Sequence, residues 1–269
     1  MIELAVCGLR GRMGRALLSL AAGADDLRVR AAIDRADADT DAAAAGVDQV
    51  GSAADAATLL DGVDVVIDFS TAAATRALLD QAGDVLAGRA LVIGTTGLDA
   101  DTQRLLDDIA NRSAVLTSAN FSIGINLLIS VCERFGALLS PDAYDTEVVE
   151  AHHGGKRDAP SGTALALAGA VARGRGRPLD DVRRDGRSGD TGTRPVGEIG
   201  MHAIRGGGII GEHSVQFIGA RESIELRHHA LDRSLFAEGA LVAARWLNGR
   251  GPGRYTMRDV LDDQLGLPG

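Results

Sequence analysis

Ile2-Glu3-Leu4-Ala5-Val6-Cys7-Gly8-Leu9-Arg10-Gly11-Arg12-Met13-Gly14 opens the chain and decides how its first half is read. A short apolar run enters a glycine turn, and an amphipathic pattern follows from about Arg12 to Ala22. Strand, glycine turn and helix in this order form a dinucleotide-binding unit. The spacing is Gly-x-x-Gly-x-x-Gly, with Arg10 where the second glycine usually stands. Alone, such a loop also serves as a plain tight turn. Context adds to it: a second strand, Leu27 to Ile33, ends at Asp34, where an acid meets adenosine ribose hydroxyls. Arg35 follows at once. The acid favours NAD, whereas a flanking Arg pairs with the 2′-phosphate of NADP, so the two argue in opposite directions. Arg10 and Arg12 are placed for the same phosphate or the pyrophosphate, or they are plain surface charge.

Outward from this unit the alternation continues. Val63 to Phe69, Ala90 to Ile93 and Ala114 to Thr117 are near-continuous apolar strands, as buried parallel strands are. Helices are predicted between and after them, from about Ala72 to Leu86 behind Ser70-Thr71, and from Asp99 to Asn111. This predicts a doubly wound, Rossmann-like parallel sheet with ligand loops at the strand ends, Gly94-Thr95-Thr96 and Ser118-Ala119-Asn120-Phe121. Ordinary strand-to-helix turns are the plain alternative there. Residues 36–62, rich in Ala and Asp, read as loop plus a short helix near Ala53 to Leu60. After the long apolar helix Ile123 to Leu139, the strands alternate in polarity: Thr146 to Ala151, Gly197 to Ala203, His213 to Ile218 and Ser223 to His229. That pattern predicts a second, α+β domain whose open, mixed or mostly antiparallel sheet has one wet face. Arg173 to Arg194 reads as a mobile loop, with an anion contact or a subunit contact as the alternative roles. Helices at Leu235 to Leu247 and Met257 to Leu261 return to the first domain. The expected domains are 1–121 with 234–269, and 122–233, hinged near Phe121 and Arg233.

The second domain carries the chemistry. Glu147 to Leu165 delivers His152-His153 from a strand into Gly154-Gly155, then Lys156, then Ser161-Gly162-Thr163 at the start of an alanine-rich helix. A helix start offers free N–H groups to a carboxylate or phosphate. Lys156 is the only lysine in the chain; every other side-chain cation is arginine. Only lysine can give up a proton near neutral pH when desolvated or crowded by cations. A metal site is the rival reading of the His pair, but neighbouring strand residues face opposite ways, and no His-Glu-x-x-His or clustered Cys occurs. His228-His229 reads as one core-facing and one wet imidazole. His202 and His213 have no motif around them and read as structural. Tyr144 and Tyr255 lack a lysine four positions on, and Cys132 lies in an apolar helix, a poor setting for a thiolate.

Glu150 to Ala164 carries in full the pattern Glu-x-His-His-x-x-Lys-x-Asp-x-Pro-Ser-Gly-Thr-Ala, and so resembles the dihydrodipicolinate reductase family. Gly154-Gly155 departs from the bulkier residues often seen after the His pair. The resemblance implies reduction of a cyclic imine dicarboxylate, 4-hydroxy-tetrahydrodipicolinate, to tetrahydrodipicolinate in diaminopimelate and lysine biosynthesis, with NADPH and NADH both used. It implies His152 as proton donor or acceptor and Lys156 as its partner. His153, Ser161, Gly162 and Thr163 would bind substrate. Gly8 to Met13, Asp34, Arg35, Gly94 to Thr96 and Ser118 to Phe121 would bind the cofactor. It also implies a homotetramer formed through the second sheet. A nucleotide-sensing protein without reductase activity, or an amino-acid dehydrogenase of related architecture, would share the fold but not need Glu150 to Ala164.

Composition agrees with a small-molecule enzyme. Of 269 residues, 45% are hydrophobic, 24% charged and only 3% aromatic, so Ala, Val, Leu and Ile build the core. The net charge of −9 argues against nucleic acid or an anionic membrane as a partner, and an anionic substrate needs a local basic pocket against it. Cys7 and Cys132 lie in apolar runs and read as free buried thiols. Met1 to Leu4 enters a strand directly, without a signal-peptide pattern, and no apolar run spans a membrane. A cytoplasmic location is expected.

Overall fold

A computed structural model describes residues 1–35 and 46–265. Part of the Ala- and Asp-rich stretch, residues 36–45, lies outside the described residues. The chain divides into two compact units, Met1–Ser122 with Ser234–Gly269, and Ile123–Arg233.

The first unit is built on a parallel sheet of strands β1 (Ile2–Cys7), β2 (Leu27–Ile33), β3 (Gln49–Gly51), β4 (Val65–Asp68), β5 (Ala90–Ile93), β6 (Ala114–Thr117) and β12 (Gly253–Tyr255). Their order is β12-β6-β5-β4-β1-β2-β3. Leu4, Ala5, Val65, Val66 and Leu91 are fully buried, which is why these strands read as unbroken apolar runs. Helices α1 (Arg12–Ala22), α3 (Ala72–Ala82), α4 (Ala100–Ala110) and α8 (Ser234–Leu247), with the short α2 (Ala56–Leu59), contribute to this unit; α9 (Met257–Leu265) ends it. Burial of leucines such as Leu78, Leu91 and Leu106 contributes about 1.5 to 3 kcal/mol each. The caps are in the sequence: Thr71 accepts the N–H of Ala74 at 3.2 Å and Asp99 that of Thr102 at 2.8 Å.

β1 pairs with β2 on one side and β4 on the other, both parallel, so strand order reverses between β1 and β4. Ligand crevices in doubly wound sheets open at such a switch point. Gly8 stands there with φ of 83°, and a Cβ on it would lie 2.8 Å from the Phe69 carbonyl oxygen. A Cβ at Gly14 would overlap the Gly8 carbonyl oxygen, so only glycine lets α1 start this close to the turn.

The second unit has a five-stranded sheet in the order β11-β10-β7-β9-β8. The strands are β7 (Tyr144–His152), β8 (Arg183–Asp185), β9 (Ile199–Arg205), β10 (Glu212–Gly219) and β11 (Ser223–His229). β10 runs antiparallel to β7 and β11, while β7–β9 and β8–β9 are parallel. The sheet is mixed rather than mostly antiparallel, because a helical crossover separates β7 from β9. Helices α5 (Ile123–Leu138) and α6 (Gly162–Gly174) pack with Val148, Met201, Val215 and Phe217 into its core. The other face carries Glu147, His202, Gln216 and Arg227.

Arg173 to Arg194 is not simply a mobile loop. It contains the end of α6, a short helix α7 (Leu179–Val182) and edge strand β8. Arg187 then grips Glu147 with two hydrogen bonds of 3.0 and 2.8 Å, and Arg194 adds another at 3.2 Å. Charge-assisted forks of this kind order a segment that composition alone reads as flexible.

Candidate active site

In the first unit, the glycine turn and the end of β2 are tied together by Asp34. Its Oδ2 accepts the N–H of Arg10 at 3.1 Å and its Oδ1 that of Arg35 at 2.8 Å. Arg10, Gly11, Arg12 and Arg35 are exposed; Leu9 is buried and Gly8 and Met13 half-buried. At the end of β5, a Cβ on Gly94 would overlap the Phe69 ring, so packing alone demands glycine there. Thr96 is exposed and Thr95 buried. The loop after β6 ties itself off: Ser118 Oγ donates to the Asn120 carbonyl at 2.7 Å, and Asn120 Oδ1 accepts the Ser122 N–H at 2.8 Å. Phe121 is 1% exposed and packs edge-on against Phe69, so its side chain belongs to the core.

Asp68 belongs to no motif. Its carboxylate is fully buried at the end of β4, accepting from the Ser70 N–H at 2.8 Å and from the hydroxyls of Ser70 (2.5 Å), Thr95 (3.1 Å) and Thr75 (2.6 Å). A buried carboxylate is tolerated only when satisfied in this way. One acid thereby locks the loops after β4 and β5. Its only signal in the sequence is an Asp ending an apolar run. A turn that admits no Cβ, the exposed start of an eleven-residue helix and an acid at the end of β2 together fit a dinucleotide phosphate and ribose.

In the second unit, β7 carries Glu150 and His152 to its end. Glu150 is 1% exposed. Its Oε2 faces His152 Nδ1 at 2.6 Å, and Arg205 on β9 grips both carboxylate oxygens at 2.7 Å each. Oε1 also accepts the Ser161 N–H at 2.9 Å. Burial alone would raise the Glu150 pKa, but Arg205, His152 and the Ser161 amide outweigh it and hold it below its ordinary value. Arg205 also donates to the Asp158 carbonyl at 2.7 Å, fixing the turn that carries Lys156.

His152 is 9% exposed. Burial lowers its pKa, Glu150 raises it, and Lys156 and Arg205 lower it again; the balance is downward, so the imidazole is neutral near pH 7. With Glu150 ionised, Nδ1 carries the hydrogen and Nε2 is the free acceptor. Nε2 lies 3.2 Å from where a Cβ on Gly211 would stand, so glycine keeps that side open. Lys156 Nζ pairs with Asp158 at 2.9 Å across a turn closed by the Lys156 N–H on the His153 carbonyl at 3.1 Å. His153 is half-buried.

Ser161 caps α6 by accepting the Ala164 N–H at 3.1 Å, and its hydroxyl also meets His213 Nε2 at 3.1 Å. Both polar groups of Ser161 therefore build the helix start, and Gly162 and Thr163 follow it as the first residues of α6. His213 does not stand apart from the motif, as its lack of sequence neighbours suggested. It packs edge-on against His152 with ring centroids 5.1 Å apart, and burial together with His152 pushes its pKa down to about 4. β10 register sets His213 beside Glu150, a convergence no local spacing reveals. No group of three or more His, Cys, Asp or Glu residues able to hold a metal ion occurs among the described residues.

A fixed-tautomer imidazole, one ammonium and a helix start thus converge in a chain of net negative charge. Such a set suits an acidic small molecule that needs a proton moved.

Family models agree with this arrangement. "Dihydrodipicolinate reductase, N-terminus" matches residues 2–121, and "Dihydrodipicolinate reductase, C-terminus" matches residues 124–261. A 4-hydroxy-tetrahydrodipicolinate reductase of Acidiphilium cryptum is 46% identical over 261 residues, covering 97% of each chain. That of Caulobacter vibrioides is 44% identical over 260 residues, again with 97% of each chain covered. Among solved structures, a dipicolinate-bound dihydrodipicolinate reductase from Paenisporosarcina sp. TG-14 superposes with a TM-score of 0.71 at 23% identity, covering 95% of this chain and 97% of that one.

Proposed function

The chain belongs to the dihydrodipicolinate reductase family, and from that premise we propose that it reduces 4-hydroxy-tetrahydrodipicolinate to tetrahydrodipicolinate in diaminopimelate and lysine biosynthesis. The observation that carries this is the Glu150–His152–Lys156 constellation at the start of α6. The first unit is the dinucleotide-binding domain and the second the substrate-binding and oligomerisation domain.

Gly8 to Met13 and the N-terminus of α1 hold the pyrophosphate, Asp34 the ribose hydroxyls, and Arg35 with Arg10 or Arg12 a 2′-phosphate, so both NADPH and NADH serve. Gly94 to Thr96 and Ser118 to Phe121 line the nicotinamide end, Phe121 through its backbone. The nicotinamide, when bound, supplies the hydride. Everything else falls to side chains and amides of this chain.

One substrate carboxylate rests on the amides of Gly162 and Thr163, at a helix start that Ser161 shapes, with His153 beside it. Lys156 complements the dianion's charge and leaves Asp158 to do so. Its ammonium meets the substrate in place of water, and it can hand over a proton. The 4-hydroxyl leaves as water, its oxygen taking the proton that Lys156 hands over, while His152 Nε2 takes the proton lost from the carbon between C4 and the imine and returns it to that carbon once the hydride is on C4. General acid help of this kind contributes ~10² to 10⁴ in rate. A cytoplasmic homotetramer formed through the open face of the second sheet completes the reading. Light scattering that gives a tetramer's mass is the expected outcome, and a monomer's mass would refute that part.

The test is oxidation of NADPH and NADH, followed by absorbance, with substrate generated in situ by the preceding synthase. Pyridine-2,6-dicarboxylate (dipicolinate), the ligand named for the Paenisporosarcina relative, serves as competitor. Rapid oxidation that the competitor suppresses is expected. Cofactor binding without oxidation would leave the fold reading standing and remove the catalytic one.

A further inference from the structure

We propose that Glu150 is a positioning residue of this reduction: through Nδ1 of His152 it selects Nε2 as the nitrogen that exchanges the proton, and through the amide of Ser161 it sets the helix start that receives a substrate carboxylate. The inference rests on the dicarboxylate reading above and assigns a role that the motif alone does not.

The carboxylate has no other outlet. Oε2 lies between His152 Nδ1 (2.6 Å) and Arg205 Nη1 (2.7 Å), while Oε1 lies between the Ser161 N–H (2.9 Å) and Arg205 Nη2 (2.7 Å). Three of these partners can only donate: both guanidinium nitrogens and the backbone amide. The imidazole nitrogen is the one adjustable partner. Facing an ionised acceptor, it must donate, and Nε2 is left as the nitrogen that accepts or gives a proton. The same carboxylate fixes the first residue of the α6 cap. Proton transfer and carboxylate binding are therefore coupled at one side chain that touches neither ligand. Arg205 keeps that side chain in place, and by holding the Asp158 carbonyl it also fixes the turn bearing Lys156.

Glu150→Gln tests this, and the outcome follows from the donors. An amide NH₂ on the Oε1 side would face two obligatory donors; on the Oε2 side it faces one, together with the imidazole. It therefore settles on the Oε2 side and donates to Nδ1, driving the neutral ring into the Nε2–H form. In hydrolases whose catalytic histidine is held by a buried Asp, the corresponding amide substitution gives the wrong tautomer and costs ~10⁴ in kcat.

Nitrogen-15 NMR of the imidazoles, with His152→Gln as the assignment control, should show His152 changing from Nδ1–H to Nε2–H in the variant. In parallel kcat should fall by ~10² or more, dipicolinate should bind several-fold more weakly, and the affinity for NADPH should not change. Glu150→Asp, which keeps the charge, should retain the Nδ1–H signature. Arg205→Lys cannot bridge both oxygens and the Asp158 carbonyl; it should lower kcat and dipicolinate affinity with nucleotide affinity intact, and it carries the test if Glu150→Gln does not fold. A wild-type protein that binds dipicolinate, beside a Glu150→Gln or Arg205→Lys variant equal to it in kcat and dipicolinate affinity, would overturn the positioning role alone. A wild-type protein that fails to bind dipicolinate would overturn the substrate reading and this inference together.

Discussion

Lys156 and His152 sit at the two ends of one tight turn and have different work to do. His152 is buried against an acid and neutral; Lys156 is 22% exposed and already paired with Asp158. Lys156→Gln removes the only ammonium that can meet a dianion, and His152→Gln removes the titrating nitrogen. Each should lower kcat by ~10² or more, in keeping with lost general acid help. Nucleotide affinity, followed by fluorescence titration, should stay at the wild-type value. A variant that turned over at the wild-type rate would remove that residue from the mechanism. At this scale the motif was legible because its members are neighbours in sequence. Arg205 and His213 were not, since they join the cluster only through the register of β9 and β10 on β7. Nothing in the residues around Arg205 distinguishes it from the many other arginines of the chain.

Helices α5 and α6 meet at glycines. A Cβ on Gly174 would overlap the Glu133 carbonyl oxygen, and one on Gly136 the Val171 carbonyl oxygen. Gly174→Ala gains up to ~1 kcal/mol of helix propensity. It also forces two backbones apart, and overpacking typically costs ~1 to 3 kcal/mol, more where no rotamer can yield. The clash should win, lowering the urea midpoint measured by circular dichroism; an unchanged or raised midpoint would mean that the helices separate freely. Elements of this kind were easiest to read where burial imposes a pattern. β1, β4, β5 and β6 are apolar throughout because both their faces are covered, and α1, α3 and α4 follow recognisable turns or caps. Three-residue strands β3, β8 and β12 left no such trace. Their existence depends on a partner strand far away in sequence, and β8 and β12 are largely polar. Polarity alternation told that the second sheet has a wet face, but it carries no information on strand direction, so the parallel β7–β9 pairing went unread.

All six histidines of the chain lie within Ile123–Arg233, and burial lowers the pKa of three of them, His152, His213 and His228. His213 moves furthest, from an ordinary 6.5 to about 4. Below pH 6.5 the unfolded chain therefore binds a proton that the folded chain refuses. Stability falls as the pH drops from 6.5 towards 4 and levels off below, by roughly 3 kcal/mol for this group. The lowered carboxylates Glu147 and Glu150 have the same sign but act at lower pH, below the ordinary Glu value. Hydrogen exchange should show β7 and β10 amides opening more readily at pH 5 than at pH 7, while amides of the first unit hardly change. His213→Gln should flatten much of that dependence; an equally steep profile would place the acid sensitivity elsewhere. Net charge sets the other molecule-wide condition, since a chain at −9 must gather its cations locally to hold a dianion. It does so with arginines everywhere except one place, and that economy has a spectroscopic dividend. Grown on lysine carrying nitrogen-15 at Nζ, this 269-residue chain would give a one-line spectrum. Its single resonance would report directly whether Asp158 or an incoming dianion holds the ammonium.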